Sequence, residues 1–90
     1  MALDYAVFIH AEACESLRHM SKTDASRLLW WVRTLRQNPF QRGDFSEKDP
    51  AGRDLEITVV GRFALYFWVD HAAREVKVLR LRPADQAFKP

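Results

Sequence analysis

The sequence predicts an α+β domain of order β-α-α-β-β-β, with two N-terminal helices packed on one face of a small, mostly antiparallel sheet. Three observations predict it. Apolar residues recur at helical spacing between Ala11 and Gln37, and they change to a two-residue period from Leu55 onward. Gly61 and the HAAR stretch at 71–74 then divide that second region into three strands. Ninety residues hold one core, so residues 1–90 read as a single domain. With 48% hydrophobic and 29% charged residues, the chain is not of the disordered class.

Residues 4–10, DYAVFIH, place Val7, Phe8 and Ile9 in a row and read as the first strand. From Ala11 to Met20, Cys14, Leu17 and Met20 with Ala13 beside them form one apolar stripe. Glu12, Glu15, Arg18 and His19 fall on the wet side. Ser21 and Asp24 offer an oxygen acceptor and then an acid, the chemistry of a helix N-terminus. The second helix runs to about Gln37 with Ala25, Leu28, Trp31, Val32 and Leu35 as its core stripe, and Asn38-Pro39 ends it. Trp30 falls among Arg27, Arg33, Thr34 and Gln37, as a boundary residue or a partner contact. Residues 39–53 have no period and read as a long loop that Phe40 and Phe45 pin to the core.

In the β region, Leu55, Ile57 and Val59 alternate with Glu56, Thr58 and Val60. Phe63, Leu65, Phe67 and Val69 are uniformly apolar and belong under the helices, which leaves Arg62, Ala64, Tyr66 and Trp68 on the open face. A register with Leu79 and Leu81 in the core adds Val76, Val78, Arg80 and Arg82 to that face, with Glu56 and Thr58 from the preceding strand. Slipping it by one residue would bury two guanidinium groups, at heavy cost.

The formal charge of +2 is unevenly spread. From Ile57 onward six basic groups (Arg62, Arg74, Lys77, Arg80, Arg82, Lys89) face three acids. A basic end of this kind attracts a polyanion or an acidic protein, or else protects a solvated strand edge. Cys14 is the one cysteine, so no internal disulfide forms and a reducing compartment is expected. No signal-like leader and no apolar run near ~20 residues is present, so the expectation is a cytoplasmic protein with no membrane span. Cys14, His10 and His19 lack metal-ligand spacing, and neither metal nor cofactor is expected.

The element order, together with LRHMSK between the helices, LRQNPF at the helix end, LEITVVGRFALYFWVD and REVKVLRLR, resembles the RelE/ParE superfamily. These are toxins of bacterial and archaeal type II toxin–antitoxin pairs, and the resemblance runs from about Tyr5 to Arg82. It implies a growth-inhibiting toxin with an antitoxin partner. In RelE-like mRNA interferases the open sheet face binds RNA at the ribosome. By that resemblance Arg62, Arg80, Arg82 and Tyr66 are the candidate catalytic residues. Arg62, Trp68, Lys77, Arg80, Arg82 and Trp30 are the candidate RNA or partner contacts. Two positions depart from the pattern. Glu56 and Thr58 stand where those ribonucleases carry lysines, and Phe88 stands six residues past Arg82 where they carry tyrosine, leaving Tyr66 or His71 as substitutes. The alternative is a non-catalytic binder, either a ParE-like inhibitor of DNA gyrase or a relative that only engages a partner protein. Locally, Tyr66 and Trp68 also read as cross-strand packing, and Arg80 and Arg82 as surface partners of Glu56 or Asp85.

Overall fold

A computed structural model describes residues 5–87. Along the chain lie β1 (Ala6–Ile9), α1 (Ala11–Arg18), α2 (Lys22–Gln37), β2 (Phe45–Lys48), β3 (Asp54–Val60), β4 (Phe63–Asp70), β5 (Glu75–Pro83) and α3 (Ala84–Ala87). The strands form one sheet in the order β1-β5-β4-β3-β2, with β1 parallel to β5 and the other pairs antiparallel. The expected β-α-α-β-β-β layout is present, with β2 and α3 added to it.

Helix α2 starts where its sequence provides a cap: the Ser21 hydroxyl accepts from the Asp24 amide at 3.1 Å. That bond satisfies one of the helix's orphan donors and is worth about 1 kcal/mol. Leu28, Val32 and Leu35 are buried on one stripe against Leu65 and Phe67 of β4 and Val76, Val78 and Leu81 of β5. Trp31 tilts onto Phe67 with ring centroids 5.8 Å apart. Each fully buried side chain of this kind stabilises the fold by about 1.5–3 kcal/mol. In the shorter α1 the buried residue is Ala13, and Leu17 and Met20 pack beside it. Cys14 is exposed, contrary to its expected place on the apolar stripe. With only eight residues, α1 can seat one narrow line of side chains, and Ala13 takes the close approach.

Residues 39–53 are not the expected structureless loop. Phe45–Lys48 pairs along β3 as an edge strand, and all four of its residues are exposed. A strand with neither face buried has no apolar alternation to announce it. Phe40 and Phe45 are 60% and 53% exposed, yet Phe40 sets its ring edge-on to the core Tyr5 with centroids 6.2 Å apart, and Pro39 beside it is fully buried, so the start of the segment is anchored there. Gly43 allows the approach to β3, because a Cβ there would lie 2.7 Å from the backbone N and O of Ile57.

Two register features decide which side chains reach the open face. Val60 pairs with Phe63 across the Gly61-Arg62 turn, so Glu56, Thr58 and Val60 share the helix-side face with Phe67, Leu65 and Phe63. Leu55, Ile57 and Val59 take the open face instead. This corrects the expected placement of Glu56 and Thr58. Both faces of β3 carry apolar residues, so composition does not set its register and the two-residue turn does. The second feature is a β-bulge: Tyr66 pairs with Arg80 but Phe67 pairs with Val78, leaving Leu79 unpaired. Arg80 and Arg82 keep their expected side. Val76 and Val78 move into the core, against expectation, and Lys77 moves out beside Trp68. A bulge re-aims the residues before it, and this one adds a cation to the open face.

Candidate functional site

The open face is built in rows across the strands. Phe45, Ile57, Tyr66 and Arg80 form one, and Val59, Ala64 and Arg82 another. Trp68, Lys77 and Phe8 form a third. Four cations gather on its two large rings. The guanidinium carbons of Arg80 and Arg82 lie 5.5 and 5.7 Å from the Tyr66 centroid. The Lys77 ammonium and the Arg53 guanidinium lie 5.0 and 5.2 Å from the centroid of Trp68. Aromatic faces hold cations by their quadrupoles without neutralising them. Carboxylates stand near three of the four: Arg53 Nε is 2.5 Å from Asp49, Lys77 is 3.7 Å from Glu75, and Arg80 Nε is 3.9 Å from Glu12 without a hydrogen bond. The pairing of Arg80 or Arg82 with Glu56 or Asp85 is not found among the described residues. Arg82 has no carboxylate partner among the described residues, and the long contacts of Lys77 and Arg80 leave part of their charge available to an anion.

Arg53 is a member that sequence reasoning missed. Its place follows from the DPAGR turn between β2 and β3, where Gly52 takes a φ of 85°. Asp49 accepts from the Arg53 amide at 2.8 Å and from its Nε at 2.5 Å, which fixes the side chain beside Trp68. Burial pushes the Asp49 carboxyl up, but the Arg53 amide and guanidinium with the Ala51 amide outweigh it, and the net shift is downward. The Asp-x-x-Gly spacing was the signal for this turn.

Several expected residues lie elsewhere. Arg62 sits in the β3–β4 turn with Nε 3.7 Å from Asp24 at the start of α2, on the helix side. The turn breaks strand alternation at that position, so Arg62 does not join Arg80 and Arg82. Glu56 is also on the helix side, where Oε1 accepts from the Gly43 amide at 2.8 Å and the Arg42 Nε at 3.3 Å. Its carboxylate clamps the segment leading into β2. Its negative charge is absent from the open face, where β3 presents Leu55, Ile57 and Val59 instead of Glu56 and Thr58. His71 is engaged by the Tyr5 hydroxyl at 2.8 Å and stacks on Phe40 at 4.7 Å, away from the Arg80–Arg82 pair. Trp30 projects from α2, across the molecule from the open face. Phe88 lies outside the described residues.

Helix α3 was not expected either. Its Ala87 packs against Ile57, Ala64 and Tyr66, and under this cover Tyr66 is only 2% exposed. Among the described residues no group of three or more His, Cys, Asp or Glu has metal-binding geometry, and no helix is long and apolar enough to cross a membrane. What the face can do is hold an anionic chain along Lys77, Arg80, Arg82 and Arg53, with Trp68 beside it as a stacking surface.

No protein-family model matches the sequence, and no curated protein matches it. Solved structures do. A chain of the archaeal RelE–RelB complex from Pyrococcus horikoshii OT3 matches with a TM-score of 0.75 at 23% identity, over 89% of this chain and 94% of that one. A chain of the toxin–antitoxin complex RelBE2 from Mycobacterium tuberculosis matches with a TM-score of 0.74 at 16% identity, over 88% and 96%. The fold is therefore RelE-like.

Proposed function

We propose that this protein is the toxin of a type II toxin–antitoxin pair, an RNA-binding inhibitor of translation in the cytoplasm of a bacterium or archaeon. The fold shared with chains of RelE–RelB and RelBE2 complexes supports the toxin role and an antitoxin partner. One observation carries the RNA reading: Arg53, Lys77, Arg80 and Arg82 stand around Tyr66 and Trp68 on a single sheet face. Cations beside an accessible aromatic ring are what a single strand needs, phosphates on the charges and a base on Trp68, since Tyr66 is covered. Cleavage by the RNA's own 2′-hydroxyl needs a proton acceptor and donor, and cations for the crowded phosphate. Arg80 and Arg82 supply the charge, and Tyr66 is the phenol beside them. Ala87 covers Tyr66, so cleavage requires α3 to move aside.

A specific observation favours a second reading. The β3 side of the face exposes Val59 and, from β2, Phe45, at 38% and 53%, and carries no cation. Such a surface suits a protein contact, as in a gyrase inhibitor or a binder without catalysis.

The test is to add purified protein to translating ribosomes, measuring protein output and mapping mRNA ends. Output should fall, and Arg80→Ala with Arg82→Ala should relieve the block. New ends that fade about 10²–10⁴-fold in Tyr66→Phe establish cleavage. Unimpaired translation overturns the RNA reading, and stabilised gyrase–DNA breaks put the second in its place.

A further inference from the structure

Cleavage on the open face needs two proton transfers, and the residues placed there so far supply one. Tyr66, a phenol, is the donor, and the acceptor for the 2′-hydroxyl proton is missing. None of the four cations can take that part, since a charged guanidinium or ammonium has no lone pair to accept with. One carboxylate reaches the border of the face from outside the sheet. β1 pairs along β5 only from Ala6 to Ile9, opposite Glu75 to Val78. The His10 amide extends that pairing by one bond to the Val78 carbonyl at 2.9 Å, and the chain then turns into α1. Helix α1 takes over the edge of β5 beyond that point, where the Ser16 hydroxyl donates to the Leu81 carbonyl at 3.4 Å. This brings Glu12, in the first turn of α1, to 3.9 Å from Arg80, Oε2 to Nε.

The other acid of the helix gives the contrast. Glu15 accepts from Arg18 at 3.1 Å and is bonded to His19 at 3.0 Å, so pairing on the helix surface accounts for it. The Glu12 side chain is 64% exposed, and among the described residues its carboxylate accepts no hydrogen bond. The helix dipole favours an acid in the first turn but does not explain its reach to Arg80. Arg80 has a matching feature: its Nε is buried without a hydrogen bond, a cost that packing leaves unexplained.

The order across the strands suits the chemistry. Tyr66 of β4 pairs directly with Arg80 of β5, and the guanidinium carbon lies 5.5 Å from the ring centroid. Glu12 approaches Arg80 from the other edge of β5. A phosphate on Arg80 therefore has a phenol on one flank and a carboxylate on the other. In-line displacement at phosphorus puts the entering and leaving oxygens on opposite sides. We propose that Glu12 is the general base of RNA cleavage on this face, a role that rests on the RNA reading above. The 2′-oxygen forms its bond to phosphorus as the bond to the 5′-oxygen breaks. Glu12 takes the 2′-hydroxyl proton, Tyr66 gives its phenolic proton to the departing 5′-oxygen, and Arg80 stabilises the charge on the phosphoryl oxygens. The products are a 2′,3′-cyclic phosphate and a 5′-hydroxyl end, and proton exchange with water restores both side chains.

The experiment uses the full chain on ribosomes programmed with a short synthetic mRNA, with the rate read from the new ends. Glu12→Gln should slow cleavage about 10²–10⁴-fold, while anisotropy shows unweakened binding of the same RNA made uncleavable by a 2′-deoxy residue at the cut. Sodium formate should restore part of the rate to Glu12→Ala and none to Tyr66→Phe. A bridging sulfur in place of the 5′-oxygen leaves without a proton, so that mRNA should rescue Tyr66→Phe and not Glu12→Gln. Glu15→Gln, on the same helix, should cleave like the parent. If the parent cuts and Glu12→Gln cuts equally fast, the assignment is overturned and the RNA reading stands. Loss of binding together with cleavage in Glu12→Gln also overturns it. So does a larger loss in His10→Gln, because His10 continues the extended strand on the side of Phe8. A parent that binds RNA without producing new ends overturns the base along with the cleavage. A parent that neither binds RNA nor blocks translation sinks the RNA reading itself.

Discussion

The salt dependence of RNA binding discriminates sharply between the two candidate sets of arginines. Four cations reach the open face (Arg53, Lys77, Arg80 and Arg82), whereas Arg62 is held on the other side by Asp24. Each phosphate neutralised on a single strand contributes about 0.7 to the slope of log affinity against log salt, so four contacts give a slope of about −2.8. Between about 50 and about 200 mM salt, affinity should then fall about 50-fold. Arg80→Ala together with Arg82→Ala leaves two contacts, a slope of about −1.4 and a fall of only about sevenfold. Arg62→Ala should leave the slope of the parent. Anisotropy of a labelled single-stranded RNA, titrated at several salt concentrations, measures all three. If Arg62→Ala flattens the slope as much as the double variant does, or the double variant keeps the parental slope, the assignment of this face is wrong.

Three further outcomes follow from the geometry. Val59→Lys places a cation in the row of Arg82 and should steepen the RNA salt slope by about 0.7, whereas Glu56→Lys, on the helix side, should lower stability without steepening it. Equal gains from both would show that the β3 register is misread. The depressed Asp49 carboxyl contributes stability above its unfolded value near 3.8 and loses it as pH falls through the lower folded value. Asp49→Asn should therefore melt earlier than the parent at neutral pH, with the gap closing below that range; a gap that persists in strong acid would refute the linkage. Gly43→Ala should cost about 1–3 kcal/mol in urea unfolding, because its Cβ would press on the Ile57 backbone at 2.7 Å.

How far the fold was legible depended on whether a segment buries one face. Helix α2 was read closely from Ser21, Asp24 and the stripe from Leu28 to Leu35, because cap chemistry and core periodicity agree there. Strand β4 was equally plain, since Phe63, Leu65, Phe67 and Val69 are apolar without a break. β2 was invisible because all four of its residues face solvent, and α3 because four residues are too few to show a period. On β3, Leu55, Ile57 and Val60 are all buried although they lie on opposite faces, so burial preference had no means of choosing between them.

The candidate site was only partly legible, and the reason is physical. Strand alternation carries a prediction only while pairing continues one residue for one residue, and the open face gains cations where it does not. The bulge at Leu79 sends Lys77 outward to Trp68 while Val76 and Val78 enter the core; unbroken alternation from Leu81 would bury Lys77 instead. The Asp49–Arg53 turn delivers the second cation on Trp68 from outside any strand. The β3–β4 turn does the reverse, taking Arg62 away from the face to which counting had assigned it. Bulges and tight turns re-aim side chains, and they are common beside functional sites. Here two of the three converge on one indole ring, which makes the Trp68 end of the face the first place to test the proposed RNA contact.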